Sequence, residues 1–193
     1  MEETAELRAW FAILRQLELV GRHPDRYLGY AYGNLSRRSR NGFIISCTQT
    51  SGKKILENTD FSLVTDIDIQ ANSLRSTGPC KPSSETLTHG VIYQALPAVG
   101  AVFHVHSPII WKQTQKLGLP ETYPAIEYGT PQMALAVAEL VKRHMRNEGL
   151  VFSMGGHEDG IIACANTPEQ AGLLLMKVLA RANQLPMNPA LSS

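Results

Sequence analysis

Two histidines stand one residue apart, at His104 and His106, at the end of the apolar run 98–103. Small and β-branched residues dominate that run, which predicts a buried strand. Residues i and i+2 of a strand point to the same face, so both imidazoles can converge on one metal ion. A metal held by neutral imidazoles permits Lewis-acid chemistry on otherwise inert substrates. The alternative is a pair of polar residues at a solvated sheet edge or in hydrogen bonds to a loop.

Polar residues also cluster at predicted strand and helix ends, where the chain can contact a ligand. The segment 82–85 is Pro-Ser-Ser-Glu and begins a predicted helix. Its serines either cap the helix or, at the same helix N-terminus, bind an anion, with Glu85 pointing into the site. The hydroxyl-rich loop 50–52 can cradle a phosphate, and the Gly-Asn pair at 33–34 either makes a turn or admits a ligand. The candidate ligand-binding residues are Asn34, Ser51, Gly52, Ser83 and Ser84.

A third candidate metal ligand lies much later in the chain. His157 is part of the Gly-rich segment 154–160 between two strand-like runs. That position suits a third ligand, although a loop histidine in a turn has the same local pattern. His89 follows Glu85 by four residues on the same helix face, which favours a structural pairing rather than ligation.

Length, charge and the N-terminus limit the class of protein. A chain of 193 residues predicts one domain, over residues 1–183, followed by a loose tail at 184–193. The net charge of +1 offers no electrostatic footprint for nucleic acid, and no apolar run approaches the length of a transmembrane helix. The acidic N-terminus lacks the basic start of a signal peptide, which favours a cytoplasmic protein. The basic cluster 37–40 is expected to be a solvated turn.

The cysteines show no pattern typical of a disulfide framework or a metal site. Cys47, Cys80 and Cys164 are odd in number, widely spaced and outside any CxxC pair. We therefore expect three reduced thiols, with Cys47 and Cys164 serving as small core residues.

The predicted elements place these residues on an α/β scaffold. Strand-like runs come early and helices are interspersed later, which implies a sandwich around a largely antiparallel sheet. The predicted strands are 30–36, 42–47, 61–66, 73–76, 99–106, 150–154 and 160–165. The predicted helices lie within 3–20 and over 83–96, 108–117, 131–146 and 167–181.

Five motifs in order carry a family resemblance. They are Gly-Asn-Leu-Ser, Thr-Ser-Gly, Pro-Ser-Ser-Glu-x-x-x-His, His-x-His and a late His before Gly-Ile-Ile-Ala-Cys-Ala. Each is weak singly, but together they resemble the class II aldolase/adducin family over roughly residues 5–182. That family includes fuculose-phosphate and rhamnulose-phosphate aldolases, ribulose-phosphate 4-epimerase and methylthioribulose-phosphate dehydratase. The resemblance implies a three-layer α/β/α sandwich with a central, mainly antiparallel sheet, and cyclic homotetramers with sites between subunits.

The resemblance also implies the roles of the candidate residues. His104, His106 and His157 would bind Zn²⁺, with Mn²⁺, Co²⁺ or Fe²⁺ as alternatives. Glu85 would ligate the resting metal or act as acid and base. The phosphate of a sugar substrate would bind at Asn34, Ser51, Gly52, Ser83 and Ser84. The implied activity is a zinc-dependent lyase acting on a small phosphorylated ketose, with retro-aldol cleavage through a metal-stabilised enediolate favoured. Epimerase or dehydratase chemistry in the same site, and a non-catalytic adducin-like assembly domain, are the alternatives.

Two features depart from the family pattern. The late motif usually has Gly directly after His, whereas Glu158 and Asp159 separate His157 from the following Gly here. Either the loop bulges to keep His157 on the metal, which we favour, or one of the two acids replaces it. The segment after the His-x-His motif is also short and lacks the family's catalytic tyrosine, for which Tyr123 or Tyr128 are candidate substitutes.

Overall fold

The predicted strands form a seven-stranded sheet in which every neighbouring pair is antiparallel. A computed structural model describes residues 3–186. Its strands are β1 (Gly21–Arg22), β2 (Ala31–Tyr32), β3 (Asn34–Ser39), β4 (Gly42–Ser46), β5 (Phe61–Asp68), β6 (Ser73–Thr77), β7 (Ala101–His106), β8 (Leu150–Ser153) and β9 (Gly160–Ala165). Its helices are α1 (Ala5–Gln16), α2 (Thr86–Ala95), α3 (Pro108–Trp111), α4 (Thr114–Leu117), α5 (Pro131–His144) and α6 (Pro168–Gln184). The strands of the seven-stranded sheet lie in the order β6-β5-β4-β3-β7-β9-β8, and a separate two-stranded ribbon pairs β1 with β2.

Helices cover both faces of the sheet because its central strands are apolar on both sides. Strands β7 and β9 are buried at every residue. Phe103 belongs to the core shared with α1 and α6, whereas Val102 belongs to the core shared with α2 and α5. This alternation follows from the two-residue repeat of a strand. The predicted three-layer α/β/α sandwich is confirmed.

The strand predicted over 30–36 is divided into β2 and β3, and β3 extends beyond the predicted end to Ser39. Gly33 separates β2 from β3 with a φ of 79°, and a Cβ there would lie 3.1 Å from the carbonyl oxygen of His104. Strand β3 continues through most of the basic cluster 37–40, so the expected solvated turn is wrong for Arg37 and Arg38. The guanidinium of Arg38 donates to the carbonyl oxygens of Val99 and Tyr93, which explains why a charge is tolerated there.

Several predicted helices have different bounds in the structure, and α6 continues to Gln184, the first residue of the predicted loose tail. Helix α2 begins at Thr86 with Glu85 as its N-cap, three residues later than predicted. The helix predicted over 108–117 consists of α3 and α4, and Ser107 caps the first by accepting from the Ile110 N–H. Of the predicted loose tail at 184–193, residues 187–193 lie outside the described part of the chain. No helix within residues 3–186 has both the length and the apolar character needed to span a membrane.

The expectation of three reduced cysteines is wrong. Cys47 and Cys80 form a disulfide with their Cα atoms 6.0 Å apart, and Cys164 is the free, buried thiol. The pairing arises because the segment after β4 runs beside the segment before α2, where the Thr48 N–H donates to the Lys81 carbonyl oxygen. Cysteine spacing alone does not indicate a contact between residues 33 positions apart.

Candidate metal centre

The end of β7 brings its two histidines to one side of the sheet, beside the turn that precedes β9. Strand pairing places His106 opposite Gly160 at the start of β9. The ligand atoms of His104, His106 and His157 all lie within 4.8 Å of one another. Nε2 of His106 is 3.1 Å from Nε2 of His157. Residues 51 positions apart therefore form one imidazole cluster.

A tight turn holds His157 in this cluster. The Met154 N–H donates to the Gly160 carbonyl oxygen, and the Gly160 N–H donates to the His157 carbonyl oxygen. A Cβ on Gly160 would lie 2.6 Å from Cδ2 of His157. Only glycine at this position lets the imidazole fold back over the start of β9. The two additional residues, Glu158 and Asp159, thus bulge the loop without moving His157 away from the other histidines.

Glu85 completes the cluster from the N-terminus of α2. Its Oε1 is 3.0 Å from Nε2 of His157, and its Oε2 is 2.5 Å from Nδ1 of His104. Burial opposes ionisation of the Glu85 carboxyl, but the charges of His104 and His157 and their hydrogen bonds outweigh it. The pKa of Glu85 is consequently well below its ordinary value. The cluster therefore contains a buried carboxylate beside three imidazoles.

These residues suit a divalent metal ion of the zinc type. Catalytic zinc sites use three protein ligands drawn from His, Glu, Asp and Cys and keep another position for water or substrate. Ligand nitrogens on a tetrahedral zinc are about 3.3 Å apart, which is close to the separation seen between His106 and His157. Nε2 of His104 is buried and has no hydrogen-bond partner among the described residues, so a metal ion would satisfy it.

The cluster lies at a cleft of about 490 Å³, and four of the five candidate anion-binding residues line it: Asn34, Ser51, Ser83 and Ser84. Ser51 donates to the carbonyl oxygen of Gly33, and the Ser83 hydroxyl accepts from the Glu85 N–H at 3.3 Å. The fifth candidate, Gly52, is not part of the cleft lining and faces the side chain of Arg22.

The structure separates the two tyrosine candidates and the two loop acids. Tyr128 lines the cleft with its ring centroid 4.1 Å from that of His157, whereas Tyr123 is 71% exposed and lies outside the lining. Glu158 is an exposed part of the lining. Asp159 turns away from the histidines and contacts the loop before β2.

That loop contributes residues that the sequence did not single out. The hydroxyl of Tyr27 donates to Oδ2 of Asp159 at 2.6 Å and accepts from Nη2 of Arg26 at 2.6 Å. Burial, followed by the hydrogen bond and charge of Asp159, raises the pKa of Tyr27 above its ordinary value, which keeps the phenol protonated. The ring of Tyr27 packs edge-on against His106, with centroids 4.4 Å apart. No local sequence pattern in the segment 23–32 indicates that Tyr27 contacts His106.

His89 has a structural place in the core rather than in the cluster. Its Nδ1 is 2.7 Å from the hydroxyl of Ser36, which is also 2.8 Å from the Tyr93 hydroxyl. The predicted side-chain pairing with Glu85 is thus replaced by one with Ser36. Burial, with a smaller contribution from the charge of His104, lowers the pKa of His89 to about 3.

The buried, neutral His89 predicts acid-sensitive folding of the metal-free protein. Below its ordinary pKa of 6.5 the unfolded chain binds a proton at His89, whereas the folded chain does so only near pH 3. The free energy of unfolding therefore falls as pH decreases through this window, and His89 contributes about 2 kcal/mol of that loss between about pH 7 and about pH 5. Urea unfolding of His89→Gln at both pH values should show a loss smaller by this amount. If His89→Gln loses as much free energy of unfolding between these pH values as the wild type, His89 is not the source of the acid sensitivity. His144→Gln serves as the control.

Comparisons with known proteins agree with this architecture. Residues 23–184 match the family described as Class II Aldolase and Adducin N-terminal domain. The solved structure of L-fuculose-1-phosphate aldolase from Thermus thermophilus has a TM-score of 0.62 over 97% of this chain and 99% of that chain. Its sequence identity of 18% establishes likeness of fold alone.

The curated relatives that are similar in sequence include two that are named methylthioribulose-1-phosphate dehydratase. The protein from Gluconacetobacter diazotrophicus is 34% identical over 51% of this chain and 46% of its own length. The protein from Leptospira biflexa serovar Patoc is 28% identical over 77% of this chain and 86% of its own length. The first alignment thus spans less than half of its relative, whereas the second spans most of it. The family match, which covers most of the chain, and the shared fold show that this protein belongs to the class II aldolase and adducin N-terminal domain family, as its motifs implied.

Proposed function

We propose that this protein is a metal-dependent lyase that removes water from a small phosphorylated ketose. The observation that carries the proposal is the cluster of three imidazoles and the Glu85 carboxylate at a cleft large enough for a sugar phosphate. The names of the relatives support dehydration and make methylthioribulose 1-phosphate the first substrate to test. Zinc is the proposed metal, with Mn²⁺, Co²⁺ or Fe²⁺ as alternatives.

The substrate's phosphate has a binding position at the rim of the cleft. Ser83 and Ser84 precede α2, a helix of 10 residues whose N-terminal amide groups favour an anion. Ser51 approaches from the loop after β4, which the disulfide joins to the segment before α2. Phosphate bound there would leave the ketone end of a short sugar facing the histidines. Gly52 has no direct part in this proposal, because it lies outside the lining.

Glu85 is placed to carry the proton that dehydration must move. A divalent ion held by the three histidines would act as a Lewis acid that polarises the substrate ketone. The Glu85 carboxylate would take the proton from the carbon next to the ketone, and the electron pair of that C–H bond would form the new C=C bond. The C–O bond at the following carbon would break, and the departing hydroxide would take the proton back from Glu85 and leave as water. The resulting enol would become a second ketone.

Retro-aldol cleavage, favoured from the sequence, is the second candidate. Dehydration can use one carboxylate to remove and return the same proton, whereas cleavage requires one group that removes the proton of the hydroxyl that becomes the aldehyde and another that protonates the enediolate carbon. Cleavage stays a candidate because the phenol of Tyr128 lines the cleft beside His157 and could serve as the second group. A homotetramer and a cytoplasmic location also remain predictions.

The decisive assay is product analysis by mass spectrometry. Zinc-loaded protein should convert methylthioribulose 1-phosphate into a product lighter by one water, and chelator-stripped protein should not. Fuculose 1-phosphate, assayed in parallel, would give two smaller fragments if the enzyme is instead an aldolase. A fully loaded protein that changes neither compound would contradict the proposal and favour an adducin-like binding or assembly domain.

A further inference from the structure

We propose that Tyr27, Asp159 and Arg26 form a positioning unit for the metal ligands. We call these three residues the tyrosine clamp. The proposal rests on the metal centre described under the proposed function and extends it to residues that do not touch the metal. It also gives a role to Asp159, one of the two additional residues between His157 and Gly160.

The first observation concerns how His106 is held. A metal-binding imidazole usually donates its second ring nitrogen to a carboxylate or a carbonyl, which fixes the ring. Nδ1 of His106 is buried and has no hydrogen-bond partner within residues 3–186. Aromatic contacts surround the ring instead, with centroids 4.4 Å away for Tyr27 and 5.4 Å away for Tyr32. The orientation of His106 therefore depends on packing, in which Tyr27 is the nearer partner.

The second observation is that Tyr27 is itself held at its far end. Its hydroxyl lies between Oδ2 of Asp159 and Nη2 of Arg26, at 2.6 Å from each. Arg26 and Asp159 are also 3.6 Å apart across this hydroxyl. The ring of Tyr27 has little freedom to swing away from His106 while these contacts last. A charge-assisted hydrogen bond to a partly buried carboxylate is among the stronger contacts of this kind.

The third observation links the same contacts to His157. Asp159 is two residues after His157, and its carbonyl oxygen accepts from the N–H of Ser107, which directly follows His106. Asp159 has a φ of 62°, and its side chain contacts Tyr27 rather than the histidines. Asp159 therefore connects the loop of His157 both to the end of β7 and to the loop of Tyr27. The clamp fixes the spacing of two ligands that come from distant parts of the chain.

The clamp predicts a loss of metal affinity in variants that keep the ligands. Tyr27→Phe retains the ring but removes the hydroxyl, and Asp159→Ala removes its acceptor. Each should weaken zinc binding about tenfold or more, as for other partners of metal-bound histidines. Both changes remove the same hydrogen bond. The double variant should therefore bind zinc with nearly the same affinity as whichever single variant binds it less tightly. Asp159→Asn should recover most of the affinity, because its amide oxygen can still accept from the phenol.

The test is competition for zinc against a chromophoric chelator, together with the visible absorption spectrum of the Co²⁺-loaded proteins. Tyr123→Phe, at an exposed tyrosine outside the cleft, is the control. The metal-free variants should remain folded at the assay temperature, as their thermal unfolding transitions show, while their Co²⁺ spectra change. Wild-type affinity and spectra in both Tyr27→Phe and Asp159→Ala would overturn the clamp and leave the proposed function standing. A wild-type protein that binds no metal would overturn both.

Discussion

Turnover by the Glu85→Gln protein is expected to fall about 100-fold or more, while its bound metal remains. The amide keeps the size and planar shape of the carboxylate but cannot accept a proton from carbon. Three imidazoles remain available to the metal, so the loss should appear in the catalytic rate rather than in metal content. The effect is large because Glu85 is the buried carboxylate of the cleft lining, and Glu158 is exposed.

The measurement is steady-state turnover on the substrate identified by mass spectrometry, with metal content determined on the same samples. Glu139→Gln changes an exposed acid on α5 and should retain wild-type rates. Turnover by Glu85→Gln close to the wild-type value would remove Glu85 from the mechanism. Loss of metal together with loss of activity would instead make Glu85 primarily a ligand.

The second large effect is expected from removal of single histidines. His106→Ala and His157→Ala each leave two imidazoles, which hold a divalent ion much more weakly than three. We expect turnover to fall about 1,000-fold or more in both, together with loss of the thermal stabilisation that zinc gives the wild-type protein. Scanning calorimetry with and without added zinc measures the stabilisation independently of any substrate.

His144→Ala, at the end of α5 and outside the cleft, is the matched control and should respond to zinc like the wild type. Wild-type behaviour of His157→Ala would show that another group, such as Glu158, completes the ligand set. Wild-type behaviour of His106→Ala would be incompatible with the cluster as a metal centre.

The sequence predicted those parts of the site that depend on local periodicity. The apolar run before His104 predicts a strand, and the two-residue repeat of a strand places His104 and His106 on one face. Glu85 was predicted as a helix-terminal residue, and α2 begins directly after it. The position of His157 depends on a turn and on strand pairing, and it lies 51 residues from His106. Its local context therefore suits a third ligand and a loop histidine equally, and the family resemblance supports the ligand.

The residues that the sequence missed share a dependence on long-range packing. Tyr27 meets Asp159 across 132 positions, and no local pattern records such a contact. The disulfide between Cys47 and Cys80 arises from two neighbouring segments whose pairing only the folded sheet reveals. Gly52 belongs to a phosphate-type loop by composition, yet the turn that carries it directs Ser51 rather than Gly52 toward the cleft.

Metal content by inductively coupled plasma mass spectrometry, on tag-free wild-type protein beside His106→Ala and His157→Ala, tests the central claim most directly. The metal centre predicts about one zinc ion per chain in the wild type and little in either variant. No bound metal in the wild-type protein, even after reconstitution with zinc, would contradict the claim that these histidines form a metal centre.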